Sequence, residues 1–502
     1  MKNRIIKNGL AMLALALTLG ACSDDFLEVD PKGTFLEDNY YKNEQQAYTG
    51  LVATYDVLRK QSGGFENMMA MLNAGSDDFY AGGGSSTDGA GIQSFSNFTI
   101  TPNFMPGSFW SDYYKGVFRA NVLLQKLPNV PMPEDKKVRF AAEAKALRAY
   151  YYFQLVTMFG EIPFYTTNLS TEQFYTIEKS APSVVYEQIE KDLLEAIEIL
   201  PVTLDAATES ARFTKGAAKA ILGKVYLFEG KNAEAAAQFA EVNGTPGETS
   251  AYGYRLLPSF NDLWVVDNKF HSESIFVCAH SKMGNSTWDN YASDSDEGNT
   301  FNLMIGPRGY APGPNAPQYK TGWSFNTVTP DLYAAMLNDP RRDATIANIG
   351  ALKEQGLANY TPANMDTGLF LKKFMPTADD VTDGGGVADL NYRQNTYIVR
   401  LADTYLMEAE ALNFTGARAQ ALLDAVRRRV GLPSVPVSKE SVMNERRMEL
   451  AGEGHRFWDL VRNDMAAAKL GSRGFIKGKH EHFPVPLKET ENTMIKQNPA
   501  YN

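Results

Sequence analysis

Apolar residues recur at three- and four-residue intervals through residues 139–159 (RFAAEAKALRAYYYFQLVTMF), with neither glycine nor proline inside. That spacing predicts a helix with one buried face, ended by Gly160 and Pro163. Residues 183–200 predict a second helix. Ser183 offers an N-cap oxygen, Val184, Ile189, Leu193, Ile197 and Leu200 supply the apolar stripe, and Pro201 stops it. In KAILGKVYLFEGKNAEAAAQF, Leu222, Gly223 and Tyr226 are followed by Ala235 and Phe239. This is tetratricopeptide spacing, in which small residues let two helices approach and large ones fill the gap. Leu147/Tyr151 and Leu401/Tyr405 echo it, the second ahead of a helix expected over 417–429. The separations do not follow the roughly 34-residue period of a tandem array, so helix pairs interrupted by insertions are expected.

The pattern changes over residues 243–395, which are rich in Gly, Pro, Asn, Ser and aromatics. Gly306-Pro307, Pro312-Gly313-Pro314 and Asp383-Gly384-Gly385-Gly386 predict turns. Residues 73–106, with Gly82-Gly83-Gly84, read the same way, and short strands are expected at 274–278 and 368–374. The fold class that follows is mainly α: about four irregular tetratricopeptide-like helix pairs carrying long, loop-rich insertions with a few short strands. Residues 22–242 and 396–502 are the helical regions and 243–395 the insertion, all within one compact unit from 22 to 502. Long ordered loops on a helical frame are where binding groups concentrate.

Composition removes several functions. Two cysteines cannot make a disulfide scaffold or a four-thiolate zinc site. A net charge of -10 leaves no basic face for neutralising nucleic-acid phosphates. P-loop, G-x-S-x-G, H-E-x-x-H and dinucleotide fingerprints are absent. The N-terminus supplies a location instead. Lys2, Arg4 and Lys7 precede an uncharged run too short to span a bilayer, ending in Leu19-Gly20-Ala21-Cys22. That ending resembles a bacterial lipobox, with residues 1–21 as signal peptide and Cys22 as the lipidated N-terminus; ordinary secretion is the alternative. Loss of the three cations would take the charge from -10 to −13, and several acyl chains would hold the protein stably on a membrane. Ser23-Asp24-Asp25 resembles an acidic surface-export signal and reads equally as a solvated linker.

The mature chain resembles the SusD/RagB family along essentially its whole length. The blocks that carry this are DFLEVDPKGTFLEDNYYKNEQQAYTGLVATYDVLR, FWSDYYKGVFRANVLLQKLP, AAEAKALRAYYYFQLVTMFGEIPFY, NERRMELAGEGHRFWDLVR and FPVPLKETENTMIKQNPAY, in that order. The resemblance implies a non-enzymatic, surface-exposed outer-membrane lipoprotein. Such a protein binds an oligo- or polysaccharide and delivers it to a partner TonB-dependent transporter, its helical frame packed on that barrel. A peptide ligand, a purely structural capping scaffold and a secreted glycoside hydrolase are the alternatives.

Candidate ligand residues come from the aromatics. Trp110, Trp264 and Trp458 lie in patterned segments and are expected to pack. Trp288 and Trp323 lie in the insertion with Tyr291, Tyr310 and Tyr319, where no helical stripe demands them. A flat ring matches the C–H face of a pyranose, so Trp288, Trp323, Tyr291, Tyr80 and Phe79 are the expected ligand contacts. No cofactor is expected. Asp294, Asp296, Glu297 and Asn299 could hold a structural calcium but read first as a solvated loop, and His480-Glu481-His482 lacks further ligands. Glu445, Arg446, Arg447, Glu449, Glu453, Arg456 and Asp459 are spaced for ion pairs along a helix rather than catalysis. Arg427-Arg428-Arg429 suits a helix C-terminus. Cys278 reads as inert core, with His280 on the same strand face leaving a Cys/His nucleophile open.

Overall fold

The computed structural model describes residues 40–502 other than 207, 282, 292–297 and 382. Eight helices pack each on the next: α1 (Glu44–Tyr55), α2 (Ser108–Lys126), α3 (Glu134–Phe159), α4 (Pro182–Ile199), α5 (Lys215–Glu229), α6 (Asn232–Asn243), α7 (Leu401–Ala411) and α8 (Gly416–Arg429), with α9 (Lys439–Leu450) closing on α7 and α8. Taken in twos, the first eight form four helix pairs, as expected for a mainly α, tetratricopeptide-like frame. Small residues set the spacing. A Cβ on Gly223 of α5 would stand 2.8 Å from the Phe239 ring of α6, and one on Gly116 of α2 would stand 2.4 Å from the Tyr151 ring of α3. Leu147, Tyr151, Leu401 and Tyr405 are all buried, and each such side chain withdrawn from water contributes about 1.5–3 kcal/mol.

Local chemistry fixes the ends. The Thr214 side chain accepts from the Ala217 N–H at the start of α5, and Gly230 closes it with φ 74°. α4 differs from expectation: its cap is Ala181 with Pro182 at the first helical position, so Ser183 lies inside the first turn and caps nothing. Val184 is 46% exposed because the buried stripe runs through Val185, Ile189, Leu193 and Ile197.

The insertion leaves and returns beside itself. β1 (Ser274–Cys278) and β2 (Thr396–Arg400) pair antiparallel, with Val277 opposite Tyr397 and Cys278 opposite Thr396, and a register irregularity near Ile275. Everything between them is therefore an excursion whose two ends are clamped together, and α7 begins at the residue after β2. The strand expected over 368–374 is shorter, Leu369–Leu371, paired with Ile346–Asn348. The two glycine-rich stretches, distant in sequence, also meet: Phe79 bridges Val328 and Gly82 bridges Phe325. Gly82 has φ +70°, and a Cβ there would stand 2.2 Å from the Ser324 carbonyl oxygen, so only glycine permits this approach.

Beneath the excursion lies a buried ion network. Arg400, at the end of β2, is 0% exposed and donates from all three guanidinium nitrogens: Nε and Nη2 to Glu453 (2.8 and 2.9 Å), Nη1 to Glu273 (2.9 Å) and Glu449 (2.6 Å), Nη2 also to the Glu449 carbonyl (2.9 Å). Arg341 bonds Glu445 and Glu449 at 2.6 and 2.9 Å, Arg429 bonds Glu273 and Glu449, and Arg447 reaches Asp78 at 2.6 Å. These charges are structural, as their spacing suggested, yet most of the pairing is tertiary. The α9 carboxylates Glu445 and Glu449 find partners on β2, α8 and the 341 segment, whereas Arg462–Asp459, beyond α9, is an i,i+3 pair.

Candidate functional site

Thr287 and Asn290 set a single turn. The Asn290 side chain accepts from the Thr287 N–H at 2.6 Å, and the Tyr291 N–H donates to the Thr287 carbonyl at 2.9 Å. Trp288 and Tyr291, three residues apart on that turn, therefore share a face, with ring centroids 5.8 Å apart and planes at 74°. Trp323 arrives from a different segment. Its N–H donates to the Leu303 carbonyl (3.0 Å), and the next residues are held on both sides: Phe325 N–H to Met304 O (2.7 Å), Asn326 N–H to Ala81 O (2.9 Å) and Gly83 N–H to Ser324 O (2.8 Å). Ser324 and Asn326 both take positive φ, 60° and 51°, backbone strain that the flanking bonds sustain. The result is a near-parallel stack of Trp288 and Trp323, centroids 6.2 Å apart at 28°.

Phe65 backs Trp323 at 5.8 Å and meets Phe325 edge-on at 5.3 Å. Below, Tyr291 and Trp323 rest on the buried cluster Leu303, Leu390 and Tyr392. Trp288 remains 50% exposed. The arrangement is an aromatic platform open to solvent at Trp288, with an apolar surface that could cover a ring face and exclude water from it.

Of the five expected contacts, three converge here. Phe79 is 1% exposed and belongs to the main core, so it is corrected to a packing residue: the bridge to Val328 turns its ring inward. Tyr80 is half-buried below the Arg473 guanidinium, 5.9 Å from its ring, while Arg473 clamps the carbonyls of Ser76, Phe79 and Ala74; no ring contact joins it to the platform among the described residues. Tyr310 and Tyr319 pair with each other over a separate small core containing Ile349, Tyr360 and Phe370. Phe65 was not anticipated; its one signal is its place after Gly63-Gly64 in a segment without helical period.

The other candidates resolve into structure. Trp110 is buried, and Trp264 and Trp458 pack against the main core. Cys22, Asp294, Asp296 and Glu297 lie outside the described residues. Asn299 caps the helix Thr300–Ile305 and donates to the Gln394 carbonyl at 2.9 Å, which commits its side chain to the fold. His480 accepts from the Ile476 N–H and lies among Phe98, Phe475 and Tyr501. Among the described residues, no group of three or more His, Cys, Asp or Glu is placed to hold a metal. His280 Nε2 does stand 3.6 Å from Cys278 Sγ, and 3.0 Å from Ser62 Oγ. Burial nonetheless pushes the thiol up to about 12, against bonds from Ser62 and Thr396 that lower it, so the reactive thiolate is scarce. We expect a thiol reagent at about pH 8 to leave the native protein unlabelled at Cys278 and to label it once denatured; rapid labelling of the folded protein would restore the nucleophile.

The comparisons with known proteins agree with this picture. Residues 272–501 match the SusD family, and residues 26–227 match a SusD-like family described as starch-binding and associating with the outer membrane. SusD-like protein P2 of Formosa agariphila is 27% identical over 529 aligned residues, spanning 99% of this chain and 100% of that one. A SusD-like protein of Bacteroides ovatus is 25% identical over 90% of this chain and 81% of its own. Among solved structures, a laminarin binding SusD-like protein is 59% identical with a TM-score of 0.90, covering 92% of this chain and 100% of that one. Surface glycan-binding protein A from Bacteroides thetaiotaomicron in complex with laminarihexaose is 25% identical with a TM-score of 0.81, over 91% and 100%. No described helix is long and apolar enough to cross a membrane.

Proposed function

Because the chain belongs to the SusD/RagB family, we propose that it is a surface glycan-binding lipoprotein, anchored through Cys22, that captures glucan of the laminarin class and passes it to a TonB-dependent transporter. The Trp288–Trp323–Tyr291 platform is the observation that carries the binding role. The Trp288 and Trp323 rings lie near parallel, Tyr291 meets Trp288 edge-on, Tyr291 and Trp323 rest on the buried cluster below, and Trp288 is left open, which suits the C–H face of a sugar. The choice of laminarin, a β-1,3-linked glucan, rests on the relative of 59% identity that is named for it and on the laminarihexaose complex of a second one. The role is binding rather than catalysis. The carboxylates spaced along the C-terminal segment are bound to arginines within the ion network and are committed to the fold. The transporter reading rests on the family resemblance, and an apolar groove of about 470 Å³ between α2 and the 163–177 segment, lined by Trp110, Tyr114, Phe118, Tyr165 and Phe174, offers the frame a sticky side face.

The test is native electrophoresis of the soluble body in gels containing laminarin, with reducing ends assayed in parallel. Retardation without new reducing ends is the expected result. Release of product would make the protein a hydrolase, and co-purification of a barrel without retardation would make it a scaffold. For the anchor, Cys22→Ala should leave the full chain soluble, and membrane retention of that variant would refute lipidation.

A further inference from the structure

Stacking recognises a pyranose face without distinguishing one hydroxyl pattern from another; discrimination requires groups that hydrogen-bond the hydroxyls and are left unpaired by the wrong sugar. One such group is tied to the platform itself. The Arg308 N–H donates to Ser324 Oγ at 2.9 Å, and its Nη2 donates to the Trp323 carbonyl at 3.3 Å, so the guanidinium is fastened to the residue bearing a platform ring. Asp88 Oδ2 lies 3.6 Å from Nη2 and is fixed by the Gly84 N–H at 2.7 Å. The glycine run makes room: a Cβ on Gly84 would stand 3.0 Å from Nη2. The two side chains are 39% and 36% exposed. Among the described residues, neither Arg308 Nη1 nor Asp88 Oδ1 has a hydrogen-bond partner, and Arg308 Nε is buried without one.

A guanidinium held by one edge and open on the other, next to an open carboxylate oxygen, is a paired donor and acceptor for two adjacent hydroxyls. We infer that Arg308 and Asp88 read the hydroxyl pattern of the sugar stacked on Trp288 and Trp323, and thereby set which glucan linkage the site accepts. This rests on the glycan-binding reading of the platform. In a β-1,3-linked glucan each inner unit keeps O4 and O6 free, side by side on one edge; Nη1–H donates to one and Oδ1 accepts from the other. A β-1,4-linked chain has its O4 in the linkage, so the pair loses a hydroxyl partner on that edge.

The experiment compares binding of laminarin and a soluble β-1,4-glucan by calorimetry for wild type, Arg308→Met, Arg308→Lys, Asp88→Asn and Trp288→Ala, with melting temperatures recorded. Methionine keeps the aliphatic stem, and asparagine keeps an oxygen for the Gly84 N–H, so folding is preserved. Arg308→Met should weaken laminarin binding about 10- to 100-fold, the range for a hydrogen bond to a charged group. It should narrow the preference over β-1,4-glucan by a similar factor, with Arg308→Lys recovering only part and Asp88→Asn shifting the same preference. If Trp288→Ala loses affinity while the Arg308 and Asp88 variants keep both affinity and preference, the pair is not the reader and the platform stands. If wild type binds neither glucan, the glycan reading falls and this inference falls with it.

Discussion

Arg400→Met is expected to yield protein that does not accumulate in the folded state, or that melts far below wild type. The substitution leaves Glu273, Glu449 and Glu453 buried at 0 to 1% side-chain exposure with their central cation gone. Removing one member of a buried pair costs about 3–5 kcal/mol, because the partner is stranded without water, and here three carboxylates lose bonds to the same guanidinium. Whole domains are stable by only about 5–15 kcal/mol. Arg400→Lys should fall between the two, since an ammonium supplies three donors and no fork. Circular dichroism melts of the soluble body decide it, and an unchanged melting temperature for Arg400→Met would contradict the network's role. The same network sets an acid limit. Burial pushes the carboxyls of Glu449 and Glu453 up. The cations overcome this and hold both below the ordinary carboxylate range: Arg429, Arg400 and Arg341 beside Glu449, Arg400 and Lys373 beside Glu453. A depressed folded-state value gives stability that is present above the unfolded value, about 4.3 for glutamate, and lost as pH falls through the folded one. This part of the stability should therefore be intact near neutrality, begin to fall as pH drops below about 4.3, and be gone only once pH has passed the lowered folded-state values.

Trp288→Ala is expected to weaken laminarin binding by about 10- to 100-fold while leaving the melting temperature close to wild type. Covering the open half of an indole withdraws on the order of 100 Å² from water, worth about 2.5 kcal/mol at about 25 cal/mol per Å², and ring stacking adds about 0.5–1.5 kcal/mol. Partial coverage in the complex reduces this to the stated range. Stability should hold because the ring is 50% exposed in the free protein and what it loses is mainly its contact with two neighbouring rings. Trp323→Ala should differ in kind. That ring also packs on Phe65 and the Leu303 cluster, so affinity and melting temperature should fall together. Affinity that survives Trp288→Ala would move the site off the platform.

Much of the frame was legible because its determinants are local. The 139–159 stripe, Gly160 and the Leu222–Phe239 pattern act within a few turns of helix, so spacing alone identified α3, α5 and α6. Misreadings at the start of α4 came from ranking Ser183 above the proline before it. The platform was half legible: an aromatic surplus inside a turn-rich stretch pointed to Trp288, Trp323 and Tyr291, whereas Phe79 looked equivalent in sequence and is core. Phe65, Arg308 and Asp88 left no local signature.

The sequence by itself determined the helix pairs and the family, since each depends on residues near one another in the chain or on blocks in a fixed order. Only the tertiary structure decided which rings face solvent and which charges are paired. Those outcomes depend on contacts between segments far apart in sequence, such as Gly82 against Ser324, Phe65 against Trp323 and Arg400 against Glu453. For a ring or a charge outside a periodic stripe, burial is a property of what arrives from elsewhere in the chain.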